Sequence, residues 1–437
     1  MFLCPGLRLA LVAHVLTDRV KLVVCRENKI TTEKQLELSD ELTAVISPAL
    51  HSMNRADWEK SVPQDNFFMR WDFLAAFERT AKPSIGFYYV QLYKKGKPYA
   101  VFYFQCIHLT VEEIGHILRP LAKEVKSHSL IGQWGEWLQK TKEEKGFRML
   151  VSGNNFISGE YGVGLSKEAG PDEVFDAMAN AVKWITRSDR TPTKISAILV
   201  KDYFSSGAEK IPSDRLKRKR YHRFLVEPEM IVSLEKSWAS FDDYTGAMSK
   251  KYRNRLRAVY KKSAALEVVE MDAEMVKAHE PQLYRLYFNV YERAKFRLAA
   301  LGENYFSEMK RAFPREFCFV AYKYEGKIVS FRSSFRTNNH LEAHFIGIDY
   351  ERSLELCLYQ RILYDYVAEG LKKGVAQVYL GRTAAEIKST VGAVAHDLVC
   401  YIRHRNGLSN QVIRPFIDYL KPSVWVPRNP FRESDSE

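Results

Sequence analysis

A chain of 437 residues with 46% hydrophobic and 13% aromatic residues is long and apolar enough for two packed cores, which excludes a disordered protein. No apolar run reaches the ~18 residues that cross a bilayer, and Cys4, Cys25, Cys106, Cys318, Cys357 and Cys400 show neither C-x-x-C spacing nor a histidine at metal-ligand spacing. That excludes a zinc module or disulfide scaffold and predicts buried thiols, no metal and a reducing compartment. The net charge of +13 points to an anionic partner, and it is local: residues 205–262 hold 15 Lys and Arg against 7 Asp and Glu.

The start, MFLCPGLRLALVAHVL, is apolar but lacks a basic leader, is interrupted by Pro5, Arg8 and His14, and has no A-x-A site. A cytoplasmic N-terminal element is expected there rather than a cleaved signal peptide. Met1–Val24 reads as a helix or two short strands, and Glu33–Ser52 as a helix-like run. After Asn66, FFMRWDFLAAFERT reads as a helix. In residues 85–109, aromatic and β-branched runs flank Lys95-Gly96-Lys97, the pattern of a hairpin. Val111–Lys145 reads as a helical insertion, Phe147–Val151 as a strand, residues 152–164 as a turn-rich loop, Asp172–Arg187 as a helix and Lys194–Val200 as a strand.

The strand-like RYHRFLVEPEMIVSL carries a join near Glu227-Pro228, which divides the chain into residues 1–230 and 231–437. Ser240, with Asp243 three residues on, caps a long helix that buries Tyr244, Met248, Tyr252, Leu256 and Val259. Lys250, Arg253, Arg257 and Lys261 line a cationic face of it. Then follow a strand (Leu266–Glu270), helices over Met275–Phe296 and 304–313, a hairpin (317–334) and a strand (Leu341–Ile348). An amphipathic helix (Leu356–Lys372) ends at Gly370 and Gly374. A strand (Gln377–Leu380), a short helix carrying Lys388, a strand (395–404) and a helix (408–420) close the chain, with a polar tail from Arg432. The hairpin and the helix-then-strand order occur in both halves, so the chain reads as two copies of one α/β unit, the first enlarged near 110–146. A strand–helix–strand unit pairs its strands in parallel and binds ligands at their carboxyl ends, here Gly381, Arg382 and Thr383.

The hairpin YKYEGKIVSF (322–331), the strand HFIGID (344–349) and above all LGRTAAEIKSTVGA (380–393) resemble the second half of a GNAT acyltransferase domain. The likeness is to the divergent branch that includes Fem-type aminoacyl transferases and cell-wall and polysaccharide acyltransferases. It implies an α/β fold of two tandem GNAT-like domains, each a mixed, strongly bent sheet flanked by helices, with the active site in the C-terminal copy.

The resemblance places a lysine at Lys388, whose ammonium would neutralise a phosphate or a developing oxyanion; a solvated surface lysine is the alternative. Arg382 would bind a carboxylate or phosphate, or pair with Glu386 four residues on. Glu342 and His344 share a strand face where such folds keep a base, and Tyr359 stands where a tyrosine protonates a leaving thiolate. His344 and Tyr359 each have packing as the alternative role. Gly381 and Thr383 would border the co-substrate, and Arg253 and Arg257 would meet an anionic substrate together with the basic run Arg215–Arg223.

The turn Asp349–Ser353 lacks the glycines with which coenzyme A-binding GNAT enzymes hold a pyrophosphate. Gly159, Gly162 and Gly164 of the first copy come closer but lack the leading Gln or Arg. The expected activity is transfer of an acyl group from a thioester to an amine by direct attack, with no tightly bound cofactor. Acyl-CoA, acyl carrier protein or aminoacyl-tRNA would be the co-substrate, and a small molecule or a lipid or cell-wall precursor the acceptor. Two alternatives stay open: a tRNA-dependent Fem-type transferase in peptidoglycan synthesis, and an inactive anion-binding scaffold. The expected place is a bacterial-type cytoplasm, with contact to the inner membrane face left open.

Overall fold

The structure, a computed structural model, describes residues 34–432 apart from 39–40, 111–112, 114–145, 190, 192, 206–212, 295–296 and 412. The readings for Met1–Val24, for nearly all of Val111–Lys145 and for the tail beyond Arg432 lie outside the described residues.

Alternating and aromatic-rich segments form the strands of one mixed sheet. The first half supplies β1 (Lys34–Glu37), β2 (Leu42–Ser47), β3 (Ile85–Lys94), β4 (Lys97–Leu109), β5 (Phe147–Ser152), β6 (Val163–Leu165), β7 (Ile195–Phe204) and β8 (His222–Ser233). The second supplies β9 (Glu267–Glu270), β10 (Phe317–Tyr324), β11 (Lys327–Arg336), β12 (His340–Ile348), β13 (Gln377–Tyr379) and β14 (Val394–His404). Their order is β1-β2-β3-β4-β5-β7-β14-β8-β13-β12-β11-β10-β9, with β6 beside β4.

Both halves contain a hairpin and one parallel pair, β5 with β7 and β12 with β13, each crossed by a long helix, Pro171–Ser188 and Leu358–Lys373. The last strand of each set is exchanged. β14, from the chain's end, pairs with β7, whereas β8 pairs with β13, and the two exchanged strands pair with each other. The aromatic core also crosses between halves: the Phe67 ring lies 5.3 Å from that of Phe313, and Phe68 lies 5.5 Å from Phe335.

Four readings of single elements differ from the structure. Glu33–Ser52 holds β1 and β2, because Leu42, Ala44 and Ile46 are buried at a period of two and β2 pairs with β3. The long helix after Ser240 has the expected capping box but stops at Ala247 and restarts at Lys250. Met248 is extended and bridges to Phe431, and the Ser249 N–H is taken by the Pro430 carbonyl at 2.9 Å. The Met275–Phe296 reading resolves into helices Ala273–Ala278 and Glu280–Arg293, and 408–420 into Gly407–Gln411 and Arg414–Tyr419. Among the described residues no helix is long and apolar enough to cross a membrane. Cys106, Cys318 and Cys400 are buried free thiols and Cys357 is partly buried.

Candidate active site

β13 ends in a turn of uncommon backbone geometry. Gly381, Thr383 and Ala384 have φ of +75°, +66° and +51°. For the two non-glycine residues the left-handed region costs on the order of 1–3 kcal/mol each, and such outliers persist only where the surroundings enforce them. Lys388 enforces this turn. The helix Ala385–Ser389 carries its side chain back, and Nζ donates to the carbonyls of Gly381 at 2.8 Å and Arg382 at 2.7 Å. Only 4% of Lys388 is exposed, so it is not a solvated surface lysine.

Two carboxyls share its surroundings. Glu342 on β12 is in register with Tyr379 on β13, which is in register with Ile231 on β8; Glu229 lies two residues before Ile231, and alternation puts it on the same face. Glu342 is 3% and Glu229 1% exposed. Both oxygens of Glu229 and Oε2 of Glu342 are buried with no hydrogen bond of good geometry among the described residues, although the Gly381 backbone N–H lies close enough to Glu229 to lower its pKa. Native structures seldom leave such groups unpaired, and where they do a functional cause is worth seeking. His340 stacks on Tyr379, ring centroids 4.2 Å apart, with Nε2 3.6 Å from Glu342 Oε2, beyond hydrogen-bond reach.

Burial sets the proton affinities. It raises the Glu229 carboxyl to about 8, with Glu342 adding to the rise and Lys388 and Arg382 opposing it. It lifts Glu342 well above the usual carboxylate range against the pull of Lys388 and Lys201. It lowers Lys388 to about 8 while Glu229 pulls upward. A carboxyl with raised affinity is a stronger base once ionised, which is what removing a proton from an amine near neutral pH requires.

The same shift carries a stability signature. Because the folded pKa of Glu229 lies above the ordinary 4.5, its contribution is fully present below pH 4.5 and is lost as the pH rises to about 8. Urea unfolding of Glu229→Gln is therefore expected to lack the decline that the wild type shows across that window. Equal slopes in the two proteins would show that the group is not desolvated.

A second layer fixes the turn from the first half. Arg382 Nη1 lies 3.0 Å from Asp202 Oδ1, so its ion-pair partner is Asp202 and not Glu386, which pairs with Arg428. Asp202 also pairs with Lys201, whose Nζ donates to the carbonyls of Asn154 and Ile157 at 2.9 Å each. The loop after β5 is thereby held in place, with Tyr161, whose pKa burial raises, close enough that Glu342 and Glu229 add to the rise. Two buried lysines thus pin two loops, one from each half.

The structure brings Lys388, Glu342, Gly381, Arg382 and Thr383 together and places the other candidates apart. His344 sits among Phe317, Phe335 and Phe345, with Nε2 2.7 Å from the Tyr305 hydroxyl, and burial lowers its pKa to about 3. Such an imidazole is a weak proton acceptor. Tyr359 packs in the second half's core, where burial and Tyr350 raise its pKa; the groups that shift Glu229, Glu342 and Lys388 do not include it. Arg253 donates to the Met248 carbonyl at 3.2 Å, and Arg257 is exposed on the same helix, Lys250–Lys262.

Beyond Glu342 the pairing of β12 with β13 ends, and residues 343–348 pair only with β11 among the described strands. One strand edge therefore runs on without a strand neighbour, beginning beside Glu342. At its far end Asp349 accepts the Glu351 N–H at 3.0 Å, so a carboxylate occupies the anion position of that short turn.

Sequence reading missed Glu229, Asp202, Lys201 and His340. Glu229 left one local signal, an acid directly before the apolar run Met230–Val232 in a strand.

No family model matches the chain, and no curated protein matches it in sequence. Its fold is similar to the crystal structure of FemX, at 11% identity and a TM-score of 0.50, covering 84% of this chain and 98% of that one. A tandem GNAT protein from the clavulanic acid biosynthesis pathway aligns at 9% identity and a TM-score of 0.49, covering 84% of this chain and 99% of that one. The FemX likeness shows the fold, an α/β chain in which the hairpin and the parallel crossover each occur twice in one mixed sheet flanked by helices.

Proposed function

We propose that this chain transfers an acyl group from a thioester donor to an amine acceptor by direct attack, at the junction where Glu342, Glu229 and Lys388 meet. The observation that carries the reading is the pair of buried carboxyls with unpartnered oxygens beside a buried ammonium, at a strand end held in left-handed geometry. In the step, the amine nitrogen forms a bond to the carbonyl carbon and the C–S bond breaks. Glu342 takes the amine proton and returns it to the leaving thiolate, so one proton moves from nitrogen to sulfur. Lys388 keeps the Gly381 turn in shape and supplies the positive charge that faces the developing oxyanion.

The open edge of β12 is suited to an extended arm such as a pantetheine or a peptide, which would bond to its unpaired backbone groups. The acid-capped turn at Asp349 disfavours a diphosphate there, so of the thioester donors acyl carrier protein fits better than free acyl-CoA; aminoacyl-tRNA, an oxygen ester, would break a C–O bond and release the ribose hydroxyl instead. The acceptor class of cell-wall or lipid precursors rests on the Fem-type resemblance alone. One observation favours a second reading, a scaffold without chemistry: Lys388, Glu342 and Glu229 are each less than 5% exposed, and among the described residues the Lys388 ammonium donates to two backbone carbonyls.

Native mass spectrometry of the protein mixed with coenzyme A, acyl carrier protein and charged tRNA separates these readings. The transferase reading expects one donor to bind and to lose its acyl group when amines are added. Binding of none would favour the scaffold.

A further inference from the structure

The basic run Arg215–Arg223 is divided in two by the fold. Arg215 and Lys219 turn toward the helix Pro171–Ser188 and pair with Asp172 and Asp176. Lys217, Arg220 and Arg223 line a cavity of about 670 Å³, together with Tyr221, Tyr401 and the acid Asp214. No carboxylate among the described residues pairs with any of those three cations, and such a volume suits a small molecule rather than a bare ion.

The wall is built. Arg220 holds φ +64° as the left-handed residue that ends the helix Ser213–Arg218, with its N–H on the Lys217 carbonyl at 2.9 Å and the Tyr221 N–H on the Leu216 carbonyl at 3.0 Å, and the Asn410 amide braces it. Nδ2 of Asn410 donates to the Arg220 carbonyl at 3.0 Å, while Oδ1 accepts the His404 N–H at 2.8 Å. Arg403 lies over the Tyr221 ring at 5.0 Å and adds positive potential behind the wall. The buried Asn410 amide and the helix end together hold Lys217, Arg220 and Arg223 around one cavity.

We propose that this cavity binds the phosphate of a phosphorylated small molecule or lipid headgroup, at a site separate from the carboxyl pair. Three cations against one carboxylate leave two positive charges, which match the ≈ −1.5 to −2 that a phosphate monoester carries near neutral pH. A single carboxylate ligand would leave one uncompensated. Arginine forks suit phosphate oxygens. His222 at the cavity and Glu229 at the carboxyl pair are seven residues apart on β8, roughly 23 Å at about 3.3 Å per residue.

The test is calorimetric titration of the full-length protein with inorganic pyrophosphate at low and high salt. Wild type and Lys262→Ala, an exposed cation on another helix, are expected to bind saturably and more weakly as salt rises. Arg220→Gly and Arg223→Ala are each expected to lose about tenfold or more in affinity. Glycine accepts the left-handed backbone of position 220 without strain, so Arg220→Gly removes the guanidinium and keeps the fold.

Flotation with phosphatidylcholine vesicles, with and without the phosphomonoester lipid phosphatidic acid, identifies the source. Retention that needs phosphatidic acid and is lost in Arg220→Gly assigns the phosphate to a lipid headgroup; no retention, with pyrophosphate still bound, assigns it to a soluble ligand. Equal pyrophosphate affinity in wild type and both arginine variants overturns the proposal, as does failure of the wild type to bind it, including the case where only single-stranded RNA binds. Acyl transfer is read at the other end of β8, so neither result decides that reading.

Discussion

Glu342→Gln is expected to lower kcat by about 10²- to 10⁴-fold, the range that positioned general bases supply, with little change in KM. The amide has the shape of the carboxyl but cannot accept a proton from an amine. Since burial already holds this carboxyl far above its ordinary range, the neutral amide fits the site without the desolvation penalty of a charge. The variant should therefore be as stable as the wild type, or more so, in urea. This pairing of lost turnover with retained stability separates a base from a packing residue. Wild-type turnover in a stably folded Glu342→Gln protein would remove it from the chemistry.

Lys388→Met should fail in the opposite manner, losing stability and activity together. Methionine has nearly the same reach but donates to neither the Gly381 nor the Arg382 carbonyl. It also leaves those two carbonyls without their donor, and a buried polar group that loses its partner typically costs about 1–3 kcal/mol. The strained turn at Thr383 and Ala384 then keeps the Arg382–Asp202 pair but loses both lysine bonds, so turnover should fall along with the urea midpoint. An unchanged midpoint would mean that the ammonium does not support the turn.

Part of this junction could be read in the linear sequence because it is local. The motif from Leu380 to Ala393 puts a strand, a positive-φ glycine and a lysine within one short stretch, and the crossover between β12 and β13 follows from helical periodicity and the glycine stop at Gly374. The rest is non-local. Asp202 is 180 residues from its partner Arg382. Glu229 lies on a strand that precedes all of the second half's other strands, and no spacing rule connects it with Glu342 or Lys388. The break at Met248 was hidden for the same reason: the periodicity of Tyr244, Met248 and Tyr252 is helical, but the interrupting group is the backbone of Pro430 at the far end of the chain. In Glu33–Ser52, the pairing of β2 with β3 outweighed a helix-like composition.

The exchange of β8 and β14 makes the order of synthesis matter. When β7 leaves the ribosome, its open flank must wait for a strand encoded about 190 residues later, which at ~5–20 residues per second is on the order of 10–40 s. Throughout that interval the nascent first half displays unsatisfied backbone groups along Ile195–Phe204, a stretch that can capture a neighbouring nascent chain instead of its own tail. A newborn molecule of this protein thus depends on being shielded until its carboxyl end arrives.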